Sequence, residues 1–122
     1  MADTEKLVFM ILHGRSHPEH ATIPFVMAGA ALASDVEVVL GFQADAVELV
    51  RTGGADAVEA PGFPPLKKLM ADVMELGGKF LVCGPCLKSR DIAVTDLVEG
   101  AEVVAAGRFV AEITSATNSL VY

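Results

Sequence analysis

The sequence predicts one α/β domain over residues 1–122, a three-layer α/β/α sandwich around a mostly parallel five-stranded sheet. Three observations carry that prediction. Short apolar runs of strand length recur at residues 7–12, 37–42 and 80–82, and they are continuous rather than alternating, as strands buried on both faces are. Segments of helical character lie between them. The 122 residues are 52% apolar and 20% charged, enough to bury one real core, and with no Trp that core must come mainly from Val, Leu, Ile, Ala and Met.

Each element follows from its residues. Residues 7–12 form a strand between the charges of Glu5 and Lys6 and the break at His13-Gly14. Residues 23–33, rich in Ala and Met, form a helix with Pro24 in its first turn, where a missing N–H costs nothing. Residues 37–42 hold Val38, Val39 and Leu40 and form the second strand. Residues 44–51 form a short helix stopped by Gly53-Gly54. Pro61, Gly62, Pro64 and Pro65 make residues 55–65 a loop. Leu66, Leu69, Met70, Val73 and Met74 recur at helical spacing over 66–76, closed by Gly77-Gly78. Residues 80–82 are the third strand, 85–89 a short helix or turn, and 95–99 a helical turn capped by Thr95. A strand at 102–105, a helix at 107–116 and a strand at 119–122 complete the order, without internal repeat or linker.

The net charge of −7 argues against a nucleic-acid partner and against an anionic membrane surface, both of which need clustered Lys and Arg. No run reaches the roughly 18 apolar residues of a membrane span. The first residues are acidic and the apolar run behind them is short, unlike a secretory signal, so a cytoplasmic protein is expected. In that compartment a close cysteine pair is catalytic, redox-active or metal-binding rather than a structural staple.

The chain has two cysteines, in Cys83-Gly84-Pro85-Cys86, directly after the third strand. In a parallel sheet, chemistry gathers at the carboxyl ends of strands, and His13 after the first strand belongs to the same edge. A helix start offers unpaired N–H groups and a positive dipole end. Pro85 presets the first turn, Gly84 allows close backbone approach, and Lys88 and Arg90 add positive charge. Each of these lowers a thiol pKa, so a thiolate is expected. Such a junction is also a poor place to hide two purely structural thiols. The tetrapeptide matches the thioredoxin active site, but its context does not. It comes late, Pro85 is the last proline of the chain, and Val82 stands where that family usually has Trp. A structural zinc site needs four ligands. His13, His17 and His20 could add to the single pair, but Pro18 interrupts a helical face through all three, so no metal is expected.

The segment from Phe80 through Cys83-Gly84-Pro85-Cys86 to Lys88-Ser89-Arg90-Asp91-Ile92 resembles the active-cysteine segment of the DsrE/DsrF-like sulfurtransferase family. There an apolar strand ends in Cys, followed by a short helix and then a basic residue, Gly and an aliphatic residue. Asp91 stands where many members have Gly, and Asp tolerates the positive φ that Gly would allow better than most residues. The Gly- and Pro-containing loop after the first strand, the Ala-rich first helix, Val38-Val39-Leu40-Gly41-Phe42 and the close at Asn118-Ser119-Leu120-Val121-Tyr122 are similar as well.

The resemblance implies assembly as a homo-oligomer, a trimer or a hexamer. It implies transport of sulfane sulfur as a persulfide on Cys83, with no cofactor beyond that covalent group, in sulfur oxidation or thiolation. TusA-like and rhodanese-like carriers would be the partners. Cys86 is shared by only some members, and its role stays open between releasing sulfide by disulfide formation and sharing the load. Gly84, Pro85, Lys88 and Arg90 would support the site. His13 either orients the persulfide or accepts a proton, or simply ends a strand. A mean hydropathy of +0.50 points to self-association independently. The alternatives are a thiol redox sensor or partner-binding module of the same fold and, third, a thioredoxin-like dithiol oxidoreductase.

Overall fold

The computed structural model describes residues 4–122. Its strands are β1 (Lys6–Ile11), β2 (Glu37–Phe42), β3 (Lys79–Cys83), β4 (Ala101–Val104) and β5 (Asn118–Val121). Its α-helices are α1 (Pro18–Ala33), α2 (Leu66–Glu75), α3 (Gly84–Ser89) and α4 (Ala106–Thr114), with 3-10 turns at Ala44–Val50 and Val94–Asp96. The strands form one sheet in the order β4-β3-β2-β1-β5. Every pairing is parallel, so the sheet is parallel throughout rather than mostly so.

Strand alternation sorts the core into two layers. Phe9, Ile11, Val38, Leu40, Phe42, Phe80 and Val82 face a main core completed by Ala21, Phe25 and Ala28 of α1 and Leu66, Met70 and Val73 of α2. Phe25, Phe42 and Phe80 pack together there with ring centroids 5.2–5.9 Å apart. Val8, Met10, Val39 and Leu81 face the other way and meet Phe109 of α4. Right-handed crossovers explain the division. The chain steps outward from β1 to β4 with its connections on one face. The return from β4 to β5, beyond β1, must then cross the opposite face, and α4 makes that crossing.

Three expectations are corrected. α1 begins at Pro18, not at residue 23, so Pro18 takes the first turn and Pro24 lies inside the helix. Pro24 is buried, and its packing outweighs the one helical hydrogen bond it cannot donate. Residues 44–50 wind as a 3-10 helix. Thr95 caps nothing, because the turn starts after Ala93 without a side-chain cap bond.

Candidate functional site

Because all strands run the same way, the segments leaving β1, β2 and β3 meet at one edge. Cys83 closes β3 opposite Val104 and serves as N-cap of α3. Its Sγ accepts the backbone N–H of Cys86 at 3.4 Å. Cys86, one turn on, packs against the main core, and its Sγ accepts the backbone N–H of Ala44 at 3.3 Å. Both thiols are free and half-buried. Pro85 lies in the first turn of α3. A Cβ on Gly84 would come within 3.3 Å of Val103 Cγ1, so the glycine lets α3 leave the sheet close to β4.

The end of α3 is equally defined. Arg90 is its C-cap, and the N–H groups of Asp91 and Ile92 bond to the carbonyls of Lys88 and Leu87 at 3.2 and 3.0 Å. This is a Schellman closure, with Asp91 in the left-handed conformation at φ +56° and Leu87 and Ile92 both buried. The Arg90 guanidinium reaches back to the Cys86 carbonyl oxygen at 3.3 Å and pairs with Asp45 at 2.9 Å. Beside Arg90 opens a polar cavity of about 350 Å³, whose wall includes Arg15, Glu48, Arg51 and Asp96.

The electrostatics at Cys83 run against the lowered thiol pKa expected at a helix start. Burial pushes the Cys83 thiol up from its ordinary value, and a hydrogen bond to the Cys86 side chain pushes the same way. The N–H of Cys86 and the charge of Arg90 pull down without prevailing. Cys83 touches both cores, so desolvation of the charged form outweighs the helix start. Lys88 is not among the groups that act on it.

His13 leaves β1 on this edge but makes no hydrogen bond to either sulfur. Its ring packs 4.8 Å from that of His17 and 4.7 Å from that of His20, and its Nδ1 is buried without a partner. The helix start at Pro18 gathers the three rings without running a helical face through them. Among the described residues no group of three or more His, Cys, Asp or Glu is placed to hold a metal ion. Nor is any described helix long and apolar enough to cross a membrane.

Ala44 and Asp45 belong to the site although nothing in their side-chain chemistry announced them. The topology was the available signal: a residue just after β2 must reach the edge where β3 ends. Gly14 fixes the neighbouring loop, because a Cβ there would fall 2.5 Å from the Asp45 carbonyl oxygen.

Comparison with known proteins places this arrangement. A family model described as the DsrE/DsrF-like family matches residues 5–122. The uncharacterized protein MJ0760 of Methanocaldococcus jannaschii is 30% identical over 105 residues, 86% of this chain and 38% of that protein. MJ0989 of the same organism is 32% identical over 59 residues, 48% of this chain and 52% of that protein. The matches thus span about half or less of these relatives. Among solved structures, the ychN protein from E. coli matches with a TM-score of 0.79 at 18% identity, covering 98% of this chain and all of that one. MTH1491 from Methanobacterium thermoautotrophicum, a protein of unknown function, matches with a TM-score of 0.72 at 16% identity and the same coverage.

Proposed function

From the premise that the chain belongs to the DsrE/DsrF-like family, we propose that it is a cytoplasmic sulfur-relay protein carrying sulfane sulfur as a persulfide on Cys83. One observation supports this most. A free, half-buried thiol ends an interior parallel strand at the carboxyl edge of the sheet, where the resemblance puts the family's working cysteine.

The Cys83 sulfur attacks the outer sulfur of a donor persulfide R–S–SH, and the donor leaves as R–S⁻. An acceptor thiolate then takes the terminal sulfur and frees Cys83. Half-burial limits hydrolysis and stray oxidation while leaving the sulfur within reach of a partner's thiol. The partners proposed are TusA-like and rhodanese-like carriers. A homo-oligomer, a trimer with a hexamer as the alternative, is proposed on the exposure of Met27, Leu76, Val94, Val110 and Val121.

The test is intact mass after incubation with polysulfide. A gain of about 32 Da, one sulfur atom, is expected for the wild type and for Cys86→Ser and not for Cys83→Ser. Loading of Cys83→Ser with none of Cys86→Ser places the persulfide on the other thiol. A second reading, a redox sensor, is favoured by the placement of the two cysteines one turn apart, with the Cys86 N–H bonded to Cys83 Sγ. A sensor forms a Cys83–Cys86 disulfide and passes no sulfur to an acceptor.

A further inference from the structure

We infer that the cavity between α2 and the loop following the 3-10 turn at Ala44–Val50 binds a small amphipathic anion. The apolar body of the ligand lies on the cavity floor, and its anionic group is held by Arg51 and Lys67. The site is separate from the persulfide chemistry proposed for Cys83 and does not depend on it.

The cavity holds about 440 Å³. Leu49, Met70, Met74, Phe80 and Val98 make its apolar lining, and Leu49, Met70 and Phe80 among them are buried members of the main core. Protein interiors pack with few voids larger than a water molecule, so open space of this size over core residues is out of the ordinary. An apolar cavity of roughly 150 Å³ already takes benzene, and small-molecule sites span about 300–1,000 Å³. The two methionines give the lining side chains that adapt to the body it takes.

The walls explain why the chain does not collapse into the space. Arg51 forms an antiparallel bridge with Leu97. Beside that bridge the Thr52 N–H bonds to the Asp96 carbonyl and the Val98 N–H to the Val50 carbonyl, both at 2.8 Å. The Gly54 N–H closes a turn on the Arg51 carbonyl at 2.7 Å. The opposite wall is α2, anchored in the core by Leu66 and Val73. The cavity is therefore built into the fold.

The charges around it select the sign of the ligand. Arg51, Thr52 and Gly53 also line the polar cavity beside Arg90, so the two cavities share a wall. Of the chain's nine Lys and Arg residues, Arg15, Arg51, Lys67 and Arg90 line this pair of cavities, against the carboxylates of Glu48, Asp56 and Asp96. A local positive excess in a chain of net charge −7 attracts an anion to this place. The cations at the apolar cavity are also free to turn to it. Arg51 pairs with Asp96 at 2.7 Å and Lys67 with Asp56 at 3.6 Å, and both pairs are solvent-exposed, where an ion pair contributes little. A neutral apolar molecule would leave the cations unused, and an inorganic anion would leave the floor empty. A molecule with both halves uses the whole site.

The experiment is an NMR titration of the full chain, isotope-labelled at its methionine methyl groups, with octanoate, octanol and inorganic phosphate in turn. Octanoate should move the Met70 and Met74 signals saturably. Met10, which packs with Phe109 in the opposite core, and the exposed Met27 should stay in place. Octanol should bind roughly tenfold more weakly or worse, and phosphate should move neither signal. Arg51→Gln and Lys67→Gln, each at an exposed position, should melt with the wild type and weaken octanoate toward the level of octanol. Octanoate that moves neither Met70 nor Met74, or moves all four methionines alike, overturns the inference. So does octanol or phosphate acting as strongly as octanoate, or wild-type octanoate binding in both variants. Met70 and Met74 signals that shift on dilution alone, without response to octanoate, mean that a second copy of the chain covers the cavity, and they overturn it too.

Discussion

Replacing Gly14 by Ala tests how the site's loops are held. The new Cβ would lie 2.5 Å from the carbonyl oxygen of Asp45, 3.1 Å from its carbonyl carbon and 3.0 Å from Glu48 Oε2. The Glu48 carboxylate ends a flexible side chain and can swing aside. The Asp45 carbonyl is backbone and cannot. One of the two loops must therefore shift by roughly 0.5–1 Å to restore van der Waals separation. Both resist. The Gln43 N–H is bonded to the Ile11 carbonyl at 3.0 Å, the Asp45 side chain is held by Arg90, and the Gly14 carbonyl accepts the His17 N–H at 3.1 Å. Overpacking of this kind costs about 1–3 kcal/mol. Removing glycine's freedom in the unfolded chain returns about 0.4–1 kcal/mol. A net loss of roughly 1–2 kcal/mol should lower Tm by about 4–10 °C in a domain of this size. Thermal melting followed by circular dichroism reads the stability. Alkylation of Cys86 relative to Cys83, read by peptide mass, reports whether Ala44 has moved off the sulfur. A Gly14→Ala protein that melts with the wild type and alkylates identically would refute the packing of these loops.

Three further outcomes follow. Phe109→Ala removes the buried anchor of α4 over Val8, Met10, Val39 and Leu81 and should cost about 3–5 kcal/mol by urea denaturation; a loss below 1 kcal/mol would mean that α4 does not seal this face. Asp91→Gly relieves a positive φ at the end of α3 and should stabilise by about 0.5–1 kcal/mol, read as a raised Tm, whereas a lowered Tm would contradict the Schellman closure. The side-chain hydrogen bonds from Lys6 and then Arg108 hold Glu112 below the usual carboxylate range. A depressed carboxylate contributes stability above its unfolded pKa and loses it as pH falls through the folded one. Below about pH 4.5 the wild type should therefore lose stability faster than Glu112→Gln; parallel acid melts would contradict this.

The fold was legible where a single physical signal dominated. The runs LVFM in β1 and VVL in β2 are too continuous for half-exposed strands, and a parallel sheet followed from them. Asp91 was legible as well, since a residue that tolerates positive φ stood where glycine is common. Pro18 and Pro24 were read in the wrong roles, because local rules for proline cannot register that Pro24 is packed into the core. The balance of influences on the Cys83 thiol was only half legible for a related reason. Helix dipole, Lys88 and Arg90 are visible as letters, but the desolvation that opposes them arises only when β3 is sandwiched between two cores. Ala44 was invisible, because an alanine's backbone conformation leaves no trace in its identity. The approach of His13, His17 and His20 needed the loop geometry before α1, which spacing alone does not supply.

The most direct test of the central claim is delivery. Protein loaded with polysulfide and freed of excess reagent is mixed with an acceptor thiol, and both masses are followed. The account predicts that the wild type loses about 32 Da as the acceptor gains it, with Cys83→Ser neither loading nor delivering. A Cys83→Ser protein that loads and delivers as well as the wild type would contradict it.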